Sequence, residues 1–69
     1  MSEAMILANG RSETIQLPCT VAEFLARAGF RPTQVVVELD GNVLGRETYA
    51  STQLQPGTSL EVIVPVAGG

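Results

Sequence analysis

The 69-residue chain closes on Gly68 and Gly69, and two successive glycines at a terminus have a distinctive chemical use. Lacking Cβ, they can pass through a tunnel too narrow for any side chain, and they tolerate any φ. A tail of Ala67, Gly68 and Gly69 would carry the α-carboxylate of Gly69 beyond the folded body. With an ordinary pKa of about 3.3–3.7, that carboxylate is ionised at neutral pH and can attack an activated phosphate. A terminus that merely frays also accommodates glycine. The other reactive residue types are poorly arranged for catalysis. Glu38 and Asp40 are the only acids close in sequence, and at i and i+2 of a strand they would share a face, where a solvated strand end is the simpler reading. Ser12, Ser51 and Ser59 have no visible base, and Cys19 has no histidine partner, which favours a structural thiol. Histidine and lysine are absent altogether. The usual groups for general acid–base or nucleophilic chemistry are therefore missing, and the expectation is a protein that is not an enzyme.

Composition narrows the class further. A chain of this length is one small domain that buries only about 60% of the surface its unfolded form exposes. It is 45% hydrophobic and 16% charged, which excludes a disordered acidic tail. Seven acids against four arginines leave a net charge of −3. That balance argues against nucleic acid, which requires clustered cations, and against an anionic membrane surface. A single cysteine cannot form an internal disulfide, and without histidine the usual metal sites are missing. Met1-Ser2-Glu3-Ala4 is acidic where a signal peptide would be basic, and no apolar run is long enough to span a bilayer. A cytoplasmic location is expected.

Hydrophobic spacing and turn chemistry supply the elements. Met5 to Ala8 reads as a strand, Asn9-Gly10 as a type I′ hairpin turn, and Glu13 to Leu17 as the return strand. A two-residue turn pairs Ala8 with Arg11 and sets Ile15 opposite Ala4, whereas a bulge shifts each contact to the other face. Thr20 and Glu23 form a capping box, with Cys19 and Phe24 at the hydrophobic-staple positions. Val21, Phe24, Leu25 and Ala28 then lie along one face of a helix over about Val21 to Ala28. Gly29 is suited to close it, with Phe30 folding back on Leu25. Gln34 to Leu39 predicts a strand with Val35, Val37 and Leu39 inward. Asp40-Gly41 predicts a second tight turn, followed by the short strand Asn42 to Leu44. Gly45 to Gln53 is irregular or a single helical turn, and Gln55-Pro56-Gly57 is a third turn. The last strand, Ser59 to Val64, places Leu60, Val62 and Val64 on one face. The expected core comprises Ile6, Ile15, Leu17, Val21, Phe24, Leu25, Val35, Val37, Leu39, Leu44, Leu60 and Val62. One helix burying its stripe against a sheet is a two-layer α+β domain over residues 1–66, with 67–69 as a tail. Its thin core leaves no room for a cofactor cavity, so activity must reside at an edge or an end.

A ββαββ chain this short with Gly68-Gly69 at its end resembles the β-grasp, ubiquitin-like sulfur carriers, and within them the ThiS family of thiamine thiazole biosynthesis. The resemblance runs from about Met5 to Gly69. It rests on Asn9-Gly10, the helix start from Thr20 to Leu25, and Val37-Glu38-Leu39-Asp40-Gly41. Val43-Leu44-Gly45-Arg46-Glu47-Thr48-Tyr49 is similar to a family stretch that reads Ile-Val-Pro-Arg-Glu, any residue, then Trp or Phe. Leu54-Gln55-Pro56-Gly57, the last strand and Ala67-Gly68-Gly69 complete it. Gly45 stands where the family has Pro, Tyr49 for Trp or Phe, Asp40 for Asn and Thr58 for Asp, and Pro65 precedes the tail.

The resemblance implies a β-grasp fold with a mixed four- to five-stranded sheet on one helix, and a protein that is a substrate rather than a catalyst. An E1-like (ThiF-type) adenylyltransferase, using ATP and magnesium, would adenylate the Gly69 carboxylate. Sulfur supplied through a cysteine desulfurase would then leave a thiocarboxylate there, for donation to a ThiG-type thiazole synthase. The chain itself would bind no cofactor or metal. Its partner surface would be the outward sheet face beside the tail, with Val36, Glu38, Ile63 and Arg46, although Arg46 could simply hydrogen-bond within its loop. Other carriers share this pattern: the small subunit of molybdopterin synthase, cysteine-forming carriers and tRNA-thiolation carriers. A ubiquitin-like modifier or docking module also fits. Without lysine, however, such a modifier could not extend isopeptide chains through its own side chains.

Overall fold

The computed structural model describes residues 2–66. Five strands and one helix alternate in the order β1 (Ser2–Ala8), β2 (Arg11–Leu17), α1 (Val21–Ala28), β3 (Val36–Leu39), β4 (Asn42–Leu44) and β5 (Ser59–Ile63). Single 3-10 turns occupy Pro32–Gln34 and Arg46–Thr48. The sheet order is β2-β1-β5-β3-β4. β5 runs parallel to β1 and antiparallel to β3, so the last strand lies in the middle of the sheet.

Turn chemistry explains that placement. Asn9 and Gly10 both take positive φ (52° and 80°), as do Asp40 and Gly41 (50° and 85°), which is what a two-residue type I′ turn requires. Ala8 therefore pairs with Arg11 and Ala4 with Ile15, without a bulge. Both turns also grip β5. The Asn9 amide donates to Leu60 O at 2.9 Å, and its Oδ1 accepts from the Val62 amide at 2.8 Å. The Asp40 amide donates to Ser59 O at 2.7 Å, and its Oδ1 accepts from the Ser59 amide at 2.9 Å.

The four amides at the start of α1 that no helical carbonyl can satisfy, Thr20 to Glu23, all find acceptors. Val21 N donates to Thr52 O, Ala22 N to Tyr49 O and Glu23 N to Thr20 Oγ1, while Phe24 N opens the helical ladder by donating to Thr20 O. The Thr20 amide in turn donates to Glu23 Oε1 at 2.8 Å, completing the capping box. At the other end Gly29 takes φ 87°, Gly29 N donates to Ala26 O and Phe30 N to Leu25 O, which is the Schellman pattern. These local bonds hold Val21, Phe24 and Leu25 against the sheet.

Thr20→Ala removes the acceptor for the Glu23 amide and is expected to lower stability by about 1 kcal/mol in a denaturant titration. Glu23 carries a pH signature. Hydrogen bonds from the Thr20 amide and hydroxyl hold its carboxyl below the usual range, with a smaller contribution from Arg27. A depressed folded pKa stabilises above the unfolded value, and that stability is lost as pH falls through the depressed one. Glu23→Gln should therefore flatten the acid limb of a stability–pH profile.

The core is wider than the predicted set. Ile6, Ile15, Val21, Phe24, Leu25, Val35, Val37, Leu60 and Val62 are buried, while Leu17, Leu39 and Leu44 only pack against its margin. Ala4, Ala8, Cys19, Tyr49 and Leu54 join it. Tyr49 and Leu54 are drawn in because the segment between them lies against the helix start, where Leu54 N also donates to Cys19 O. Four strand boundaries differ from expectation. β2 begins at Arg11 rather than Glu13, because the two-residue turn pairs Arg11 with Ala8. β1 begins at Ser2, because β2 supplies partners as far as Leu17. β3 begins at Val36, because Gln34 N turns back to Arg31 O. β5 ends at Ile63, whose partner Val36 is the first residue of β3, so Val64 has no ladder position and is 57% exposed rather than inward.

Candidate functional site

Because β5 is the central strand, the chain leaves the sheet from its middle at Ile63, and the site is the surface around that exit. Val64 and Pro65 line an open groove with Val36, Arg46 and the Thr33–Gln34 loop edge. Pro65 has no amide to offer a neighbouring strand. Arg46 Nε donates to Pro32 O at 3.0 Å, which ties the two 3-10 turns together and forms one wall of the groove. Arg46 thus bonds to another loop rather than within its own. Thr48 Oγ1 donates to Gly45 O at 2.6 Å and closes the turn that presents Arg46.

Three of the four predicted surface residues meet at this exit. Val36 and Ile63 stand directly opposite each other across β3 and β5, and Arg46 shares the groove with Val36. Glu38 lies two residues farther along the same outward face, opposite Glu61 on β5 and Val43 on β4. Ile63, Val43 and Val66 are exposed apolar side chains, and Val66 is 91% exposed. Ala67, Gly68 and Gly69, which carry the expected chemistry, lie outside the described residues. Sequence reasoning missed Val64, Pro65, Val43 and Glu61 as neighbours of the exit. Their alternation places Val43 and Glu61 outward, but only the cross-strand register sets them beside Glu38.

Cys19 is far from this exit in role and in environment. It is buried at 1% exposure in the core, and its Sγ donates to Thr20 O at 3.5 Å. Burial pushes the thiol above its ordinary pKa; nearby Arg27 opposes this and Glu23 adds to it. A buried neutral thiol is a poor nucleophile. Alkylation of Cys19 by iodoacetamide at mildly alkaline pH should be slower in the folded protein than in denaturant by on the order of a hundredfold or more, since it must await local opening. Among the described residues, no group of three or more His, Cys, Asp or Glu side chains could hold a metal ion, and no helix is long and apolar enough to cross a membrane.

The fold as a whole recurs in solved structures. The crystal structure of the thiamine biosynthesis protein ThiS from Geobacter metallireducens superposes with a TM-score of 0.79 at 31% identity, covering 94% of this chain and 99% of that one. An NMR solution structure of a thiamine biosynthesis protein from the same organism gives 0.77 at 29% identity, covering 94% and 87%. The fold is accordingly the β-grasp arrangement of these neighbours. No curated protein sequence is a significant match. The ThiS family matches residues 3–69, from the first strand to the last glycine. A match over that span, with the same fold in a solved ThiS structure, makes this chain a member of the ThiS family, the small sulfur-carrier proteins of thiamine biosynthesis.

Proposed function

We propose that Gly69 is the residue charged with sulfur, and that the folded body serves to present it to partner enzymes. The observation that supports this most directly is the exit of the chain from the central strand at Ile63, beside an exposed groove, in a chain that matches the ThiS family as far as Gly68-Gly69. An E1-like adenylyltransferase binds ATP with magnesium. A carboxylate oxygen of Gly69 attacks the α-phosphorus, pyrophosphate leaves, and the product is an acyl-adenylate. AMP is a good leaving group, so the carbonyl carbon becomes electrophilic. The terminal sulfur of a protein persulfide, charged by a cysteine desulfurase, attacks that carbon and expels AMP, leaving an acyl disulfide. A thiol then reduces the S–S bond. It is itself oxidised to a disulfide, and the Gly69 thiocarboxylate is released as the sulfur nucleophile for a thiazole synthase. The body supplies no acid, base or metal to these steps. Its part is to dock, to orient the tail through Val64 and Pro65, and to keep Cys19 buried away from the sulfur chemistry.

Incubating the chain with the adenylyltransferase, ATP, magnesium and a persulfide donor should shift its intact mass by one oxygen exchanged for one sulfur. The shifted species should then lose its sulfur on addition of thiazole synthase and its substrates. A full-length chain that remains unmodified in the complete system would reject this function.

A further inference from the structure

The parallel pairing of β1 with β5 is finished by a side chain. Leu7 N donates to Thr58 O and Asn9 N to Leu60 O, and the next bond of such a ladder would run from Val62 N to Asn9 O. Asn9, at φ 52°, has already turned its main chain toward β2. Its side-chain carbonyl takes over that position, with Oδ1 accepting from Val62 N at 2.8 Å. β2 and β5 flank β1 on opposite sides, so this bond draws Asn9 Cγ toward β5 while Gly10 leads away from it. The arrangement matters because an Asn-Gly pair can react with itself. Glycine has no Cβ to shield its amide nitrogen, and a Cβ at Gly10 would meet nothing within 4 Å. Gly10 N donates no turn or loop bond among the described residues, and both residues are exposed to water. The chain's other asparagine, Asn42, precedes the β-branched Val43.

We infer that Asn9-Gly10 is a self-modification site, gated by the grip of Asn9 on β5 and irreversible once used. When the bond to Val62 opens, Cγ can swing onto Gly10 N. The nitrogen loses its proton and bonds to Cγ, the side-chain nitrogen leaves as ammonia, and a five-membered succinimide forms. Water then opens the ring at either carbonyl, so ammonia is exchanged for water with no change of oxidation state. Hydrolysis at Cγ gives aspartate. That residue keeps an acceptor for Val62 N, as Asp40 Oδ1 accepts from Ser59 N at 2.9 Å in the other hairpin. Hydrolysis at the main-chain carbonyl gives isoaspartate, whose main chain runs through Cβ and Cγ. The oxygen that accepted from Val62 then belongs to the peptide bond with Gly10, and the pendant carboxylate is shorter by a methylene. The turn also gains a main-chain atom, which the Ala8–Arg11 closing pair of a two-residue type I′ turn does not accommodate. The original grip on β5 cannot be restored, and it lies one residue before that strand ends at Ile63. This property is independent of the carrier function.

Incubating the full chain in mildly alkaline buffer, with and without concentrated urea, tests the gate. Peptide mapping should show Asn9 converting more slowly in the folded chain than in urea by on the order of tenfold or more, since conversion must await local opening. Asn42, crowded by Val43, serves as the internal reference. Equal rates in the two media, or no conversion of Asn9 in either, would overturn the inference. The isoaspartate form, separated by chromatography and identified with an isoaspartate-specific carboxyl methyltransferase, tests the irreversibility. Its Val62 amide should exchange hydrogen faster than in the Asn9→Asp variant, which retains the acceptor, by on the order of tenfold. Its denaturant midpoint should also be lower. An isoaspartate form as stable and as slowly exchanging as Asn9→Asp would mean that the grip survives, and would reject the proposal equally.

Discussion

Leu25→Ala should be the most damaging single substitution in the body of the protein, lowering unfolding free energy by about 2–5 kcal/mol. Leu25 is fully buried at the centre of the interface between α1 and the sheet. Its truncation costs the transfer free energy of the three carbons removed, Cγ and its two methyls, and leaves a cavity that the surroundings fill only in part. Typical domains are stable by only about 5–15 kcal/mol, and a chain of this length has a thin core. The variant should therefore show a large drop in denaturant midpoint with an unchanged m-value. Val43→Ala provides the contrast. Val43 is 69% exposed on the short edge strand β4, so its truncation should stay within about 0.5 kcal/mol. A Leu25→Ala loss as small as that of Val43→Ala would mean that the helix does not pack as described.

What could be read from the sequence was whatever is encoded locally. The helix start needs only Thr20 and Glu23 three residues apart, its end needs Gly29, and each hairpin turn needs a single Asn-Gly or Asp-Gly pair, whose positive φ values appear at Asn9, Gly10, Asp40 and Gly41. The features that escaped are those set by distant chain segments. Tyr49 and Leu54 follow no period. They are buried because the carbonyls of Tyr49 and Thr52 satisfy the first amides of a helix far earlier in the chain. Val64 continues the alternation of Leu60 and Val62, yet it faces solvent because β3 offers no partner past Val36.

The same division applies to the site. Val36, Glu38, Ile63 and Arg46 could be singled out as outward residues near the end of the chain. The direct opposition of Glu38 to Glu61, and of Val36 to Ile63, is a matter of register, which emerges only when β5 is inserted between β1 and β3. The turn residues Asn9 and Asp40 help to set that register through their bonds to the backbone of β5, a role that turn propensity alone does not reveal.

Deleting Gly69, or replacing Gly68 with valine, should abolish sulfur loading while leaving the fold intact. Both positions follow Ile63, the last residue of β5, in the sequence, and a glycine has no side chain for a core to lose. Melting temperature and circular dichroism should therefore match those of the unsubstituted chain. The chemistry is affected in two different ways. Without Gly69, the terminal carboxylate retreats by one residue, about 3.3–3.6 Å of extended chain. That is far more than the sub-ångström placement that nucleophilic attack on a phosphate demands. With Gly68→Val, the carboxylate keeps its distance, but a β-branched side chain enters a passage that a bare backbone fits, and the φ freedom of glycine is lost. Pyrophosphate release should then fall by at least on the order of a hundredfold in both variants. The two are separable by binding. The deletion should dock on the adenylyltransferase as the full chain does, whereas Gly68→Val should bind more weakly because its tail cannot enter. If either variant were loaded at the normal rate, Gly69 would not be the site of sulfur attachment.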